Sequence, residues 1–153
     1  MRNFLIFFSL LFIAPIISEA AKLPKESKTI YVSSQGGQRV GFGAKRLLNS
    51  LIKAGYEVKL TVINYKEKLP KGKSTIVIGT ANDKVLDGLF PAALKNQSHA
   101  AGKEGFSTSY DKDGALYIIG ADNSGTLYGC IDLSEKVASG GKIPTQLAIT
   151  DHP

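Results

Sequence analysis

Apolar and polar positions alternate in blocks that fix a sequence of elements. "KTIYVSS" (28–34) is rich in β-branched and aromatic residues and predicts a strand. "QGGQRVGFG" reads as a turn-rich break. Ala44, Leu47, Leu48, Leu51 and Ile52 then recur at helical spacing, with Gly55 just beyond as a C-cap. Val58, Leu60 and Val62 alternate as a half-buried strand does, and "STIVIGT" (74–80) is a short apolar run suited to a central strand. A charged loop that includes Lys66 to Lys73 lies between them. "NDKVLDGLFPAALK" (82–95) predicts a weaker helix broken near Pro91, and "NQSHAAGKE" a loop. Two strands then flank "DKDG", whose Asp113-Gly114 is a favoured hairpin turn. A helix over about Gly125 to Ala138 and a last strand in "TQLAITDHP" complete the order β-α-β-β-α-β-β-α-β. A hairpin among strand–helix alternations predicts an α+β fold, a mixed sheet with helices packed on it.

The first twenty residues stand outside this pattern. "MRNFLIFFSLLFIAPIISEA" has one base, Arg2, an apolar run from Phe4 to Ile17, and small residues Ser18 and Ala20 before the cleavage point. This is the layout of a secretory signal peptide cut after Ala20. The run is short for a membrane span of about 20 residues. The expectation is export to the periplasm or medium, with no membrane attachment after cleavage. Residues 21–27 then form a polar linker and 28–153 one folded domain.

Charge and cysteine content refine the picture. Cleavage removes one base and one acid, so the formal charge stays at +6. For an exported protein a basic surface favours an acidic polysaccharide over nucleic acid. Cys130 is the only cysteine, so no internal disulfide is available and the core must hold the fold. Cys130 itself is expected to pack as a small apolar side chain.

No catalytic constellation emerges. "SSQGGQRVGFGAKR" joins a strand to a helix, where phosphate loops sit, yet Arg46 occupies the third glycine position of the dinucleotide fingerprint. His99 and His152 have no metal-ligand spacing, and no Gly-x-Ser-x-Gly elbow occurs. No cofactor or metal is expected. Asp111 and Asp113 fall in the hairpin turn, a hydrated place that does not keep a carboxyl protonated. Glu104 is the one acid with no evident structural place. Asn96-Gln97-Ser98 is a glycosylation sequon, relevant only in a eukaryotic secretory pathway.

The helix in "DNSGTLYGCIDLSEK" (122–136) carries two glycines on one face, Gly125 and Gly129, each costing about 1 kcal/mol relative to alanine. Glycine there permits a strand or loop to approach the helix backbone. Asp122 or Ser124 is the expected N-cap. Leu127, Cys130, Ile131, Ser134, Val137 and Ala138 are the stripe expected to pack on the sheet, with the glycines forming a groove beside it.

"GFSTSYDKDGALYIIGADNSGTLYGCIDLSEKV" resembles the end of the N-terminal domain that precedes the catalytic barrel in α-glucuronidases acting on xylan side chains and, more distantly, in the β-hexosaminidase group. The resemblance rests on Ile119-Gly120-Ala121-Asp122, on Gly125-Thr126-Leu127-Tyr128-Gly129 and on Asp132-Leu133-Ser134-Glu135. It makes Asp122, Gly125, Tyr128 and Gly129 a structural signature. It implies a non-catalytic α+β accessory domain of a glycoside hydrolase, packed on a barrel that this sequence lacks, and therefore no catalytic residue in this chain. A stand-alone exported module that binds acidic glycans is the alternative.

Overall fold

The structure is a computed structural model that describes residues 25–64 and 68–153. The expected signal peptide at 1–20, most of the expected linker, and Lys66 and Glu67 of the charged loop lie outside the described residues. The elements run β1 (Ser27–Ser33), α1 (Gly37–Lys53), β2 (Glu57–Ile63), β3 (Thr75–Thr80), α2 (Ala92–Ala100), β4 (Phe106–Tyr110), β5 (Leu116–Gly120), α3 (Asn123–Gly140) and β6 (Ala148–Asp151). This is the predicted order, on one six-stranded mixed sheet arranged β2-β1-β3-β5-β4-β6.

β1 pairs in parallel with both β2 and β3, and β3 in parallel with β5. β4 runs antiparallel to β5 and to β6. Side-chain alternation along the central strands divides the core in two. Ile76, Ile78, Leu116 and Ile118 face one side, with Val40, Ala44, Leu47 and Leu51 of α1 and Cys130, Leu133 and Val137 of α3. Val77, Tyr117 and Ile119 face the other, under Val85, Leu86, Phe90 and Leu94. Phe90 closes this second core edge-on to Tyr117, with ring centroids 6.2 Å apart.

Two elements differ from expectation. α1 begins at Gly37, seven residues before the expected Ala44, because Val40 starts the buried series that Ala44, Leu47 and Leu51 continue. Gly43 belongs to that series: a Cβ there would lie 3.0 Å from Cys130 Cβ, so its glycine is what lets α1 lie against α3. The expected helix over 82–95 forms only beyond its break at Pro91, where 92–95 open α2, and its first part is not helical. Asp83 Oδ1 accepts from Val85 N at 2.9 Å and makes a turn, and the 81–90 stretch packs on the sheet as irregular chain. Pro91 sets the N-cap of α2, which instead occupies much of the expected loop, out to Ala100. Proline suits a helix entrance, since the amide hydrogen it lacks would have no partner there.

Candidate functional site

The start of α3 is where the chain crosses itself most tightly. Asp122 is the N-cap, its Oδ1 accepting from Ser124 N and Gly125 N at 2.9 Å each. Its Oδ2 accepts from Glu104 N at 3.1 Å, tying the α2–β4 loop to the helix. Ser124, the other expected cap, is buried and accepts instead from Arg39 Nη1 of α1 at 2.7 Å. A Cβ on Gly125 would stand 2.1 Å from the carbonyl oxygen of Gly105, and one on Gly129 would stand 2.7 Å from Ile118 Cγ2 and 3.0 Å from the Phe106 ring. One glycine admits a loop and the other a strand. Tyr128 is half-buried on the flank of the helix.

The sheet-facing stripe of α3 is displaced from the expected one. Thr126, Gly129, Cys130, Leu133, Ser134 and Val137 are buried, whereas Leu127 and Ile131 are half-buried and Ala138 is exposed. The glycines lie inside the buried stripe and not in a groove beside it. Thr126 explains the rotation: its Oγ1 sits 3.0 Å from the Gly79 carbonyl oxygen at the end of β3, which draws that face of the helix inward.

Several titratable groups are committed to structure. Asp111 Oδ1 accepts from Asp113 N and Ala115 N at 2.9 Å, and Oδ2 lies 3.2 Å from the Tyr117 hydroxyl. Burial, with Asp111 beside it, pushes the Tyr117 hydroxyl up to about 12. Asp113 pairs with Lys71 at 3.2 Å. Burial alone would raise Asp122, but the N–H donors of Gly125, Glu104 and Ser124, with the Lys103 charge, hold its carboxyl below the usual range. Lys28 lowers Glu26, and Lys95 lowers Asp87. The Cys130 thiol is fully buried and pushed far upward by that burial. Glu104 is half-buried at φ 62°, its backbone brought to Asp122. His99 and His152 are exposed on separate parts of the chain. Among the described residues no three His, Cys, Asp or Glu side chains cluster as metal ligands, and no helix is long and apolar enough to cross a membrane.

The opposite, amino edge of the sheet carries a cavity of about 480 Å³ that residue patterns did not reveal. It is lined by Lys28 at the start of β1, Tyr56 before β2, Lys73 before β3, Tyr110 at the end of β4, and Lys142 in the α3–β6 loop. Lys28 is 6 % exposed; its Nζ meets Glu26 Oε2 at 2.6 Å and donates to the Lys73 carbonyl at 2.8 Å. The tyrosine hydroxyls pin the loop: Tyr56 Oη accepts from Ile143 N at 3.1 Å, and Tyr110 Oη donates to Pro144 O at 2.7 Å. The charged 66–73 loop thus divides, Lys71 pairing with Asp113 and Lys73 reaching the cavity. The sequence signal was that lysines and tyrosines sit at or next to strand ends, on segments far apart in the chain.

No family model matches this chain, and no curated protein does. Solved structures do. A family GH138 enzyme targeting pectin rhamnogalacturonan II matches at 21% identity and TM-score 0.55, covering 83% of this chain and 12% of its own. A family GH115 4-O-methyl-α-glucuronidase with specificity for decorated arabinogalactans matches at 22% identity and TM-score 0.53, covering 74% of this chain and 14% of its own. The glycoside hydrolase CpGH84D matches at 19% identity and TM-score 0.56, covering 83% and 21%. The fold recurs as a small part of large glycoside hydrolase chains. This chain spans 12–21% of the length of those it matches.

Proposed function

We propose that this chain is the non-catalytic N-terminal accessory domain of an exported glycoside hydrolase, of the kind that acts on acidic plant-type polysaccharide, with glucuronate-bearing xylan as the substrate in the α-glucuronidase reading. What supports it is the combination of coverages: most of this chain, and only 12–21% of each glycoside hydrolase chain, share one fold. A domain that recurs beside different activities serves their common need, which is to support or present a separate catalytic unit. The residues here agree with that role. Asp122, Gly125 and Gly129 hold the fold, and the carboxylates displaced from their ordinary pKa, Glu26, Asp87 and Asp122, are all held ionised. A glycosidase acid needs the opposite shift.

The cavity between Tyr56 and Tyr110 favours a second reading, a stand-alone module that binds acidic glycans. Genomic DNA downstream of codon 153 separates the two. An open frame entering a barrel domain, with exported material beginning at Ala21 by mass spectrometry, is the expected result. A stop codon with the short chain secreted by itself moves the assignment to the binding module, and a cytoplasmic chain with Met1 intact overturns both.

A further inference from the structure

We propose that the amino-edge cavity is a binding subsite for a carboxylate-bearing sugar, a uronic acid residue of an acidic glycan. The choice of a sugar rests on the proposed accessory role; the preference for an anion rests on the cavity itself. Its polar groups do not balance. Lys28 carries three N–H donors, of which Glu26 and the Lys73 carbonyl occupy two. The Tyr56 hydroxyl accepts from Ile143 N, so its own proton is unspent. Lys73 and Lys142 are exposed and form no close salt bridge among the described residues, the Lys73 charge adding only to the field that lowers Glu26. Glu26 is the only carboxylate on the wall, and Lys28 already takes it. The cavity therefore offers donors and positive charge in excess, and its complement is an anion rich in acceptors.

The remaining surfaces narrow that anion to a sugar. Tyr110, its hydroxyl engaged by Pro144, adds an aromatic ring to the cavity wall, a surface suited to the C–H face of a pyranose, beside the Tyr56 ring. Lys25 and Lys28 stand 5.6 and 5.9 Å from the Tyr56 ring centroid, which fixes that ring. The volume of about 480 Å³ falls in the range of small-molecule sites. α3 ends at this edge with its negative pole, but Lys25 donates to the Gly141 carbonyl there and offsets it.

Calorimetric titration of the full chain with trigalacturonate and with a glucuronate-bearing xylotriose tests the proposal, with galactotriose and inorganic phosphate as controls. At least one uronate ligand is expected to bind and galactotriose not to bind. Lys73→Ala with Lys142→Ala should weaken uronate binding at least tenfold, while the thermal melt confirms that these surface changes keep the fold. Lys45→Ala with Lys53→Ala, on the outer face of α1, removes the same charge elsewhere and should leave binding within about twofold. Absent uronate binding, equal loss in both double variants, or phosphate competing as well as the sugar each overturns the subsite. Such a failure leaves the accessory role standing, because the downstream reading frame decides that separately.

Discussion

At the scale of single residues, glycines with the same helical address have opposite consequences, and the difference is what a Cβ would touch. Gly125 faces backbone, the Gly105 carbonyl at 2.1 Å, which cannot turn aside as a side chain can. Gly125→Ala is expected to destabilise by about 1–3 kcal/mol, overpacking outweighing a helix-propensity gain of about 1 kcal/mol. Gly41 has nothing within 4 Å and lies inside α1. Gly41→Ala should stabilise by about 0.5–1 kcal/mol. Urea denaturation of the pair measures both, and equal changes would remove the close crossing as the cause. Asp122 makes a second residue-scale test. Its folded pKa lies below its ordinary 3.8, so ionised Asp122 adds stability above that value and loses it as pH falls through the folded pKa. Asn keeps one acceptor oxygen for the helix but turns an amide donor toward Glu104 N. Asp122→Asn should cost about 1–2 kcal/mol at pH 7, and the deficit should shrink below about pH 4. A deficit constant from pH 7 to 3 would show that charge takes no part.

At the scale of elements, legibility followed how far a pattern depends on its own neighbours in sequence. The hairpin was legible because Asp113-Gly114 and its flanking strands are local, and Asp111 proved to be a turn residue as its position implied. The strands were legible because period-two alternation survives in any sheet. The start of α1 was not, because Gly41 and Gly43 read as breakers while Gly43 is the contact point with Cys130 on another helix. A glycine that serves a long-range crossing looks in sequence like one that ends a helix. The stripe of α3 was misplaced for the same reason: hydrophobicity favoured Leu127 and Ile131, whereas Thr126 and Gly129 face inward through a hydrogen bond to β3 and a contact with β5. Residues 82–90 read in sequence as the first part of a weak helix, but an aspartate-made turn and three inward apolar side chains fold them otherwise. The amino-edge cavity joins positions from 26 to 145, and no short window contains it.

At the scale of the whole molecule, helices and buried loop cover both faces of the central strands, and what remains accessible is edges and rims. Chemistry in such a domain has to come from groups placed at those rims, and the acids there are poorly placed for glycoside cleavage. That reaction uses two carboxyls about 5–10 Å apart, one protonated and one ionised. Glu104 is brought to Asp122 through its backbone, Glu104 N lying 3.1 Å from the Asp122 carboxylate. Asp122 cannot serve as the acid, since three backbone N–H groups hold it ionised, and as a nucleophile it would have to surrender the cap of α3. Asp111 and Asp113 are engaged with their own turn and with Lys71. Full-length chain purified to homogeneity is therefore expected to show no turnover of aryl glucuronides, aryl hexosaminides or glucuronoxylan oligosaccharides above buffer. The informative control is Glu104→Gln, which removes the one half-buried acid among the described residues that no hydrogen bond or ion pair of its side chain ties to the fold. Activity that persists through repurification and vanishes in that variant would place a catalytic centre at the α2–β4 loop and end the accessory reading. Activity that copurifies erratically and is unchanged by the substitution belongs to a contaminant, and the domain then acts only through what it holds.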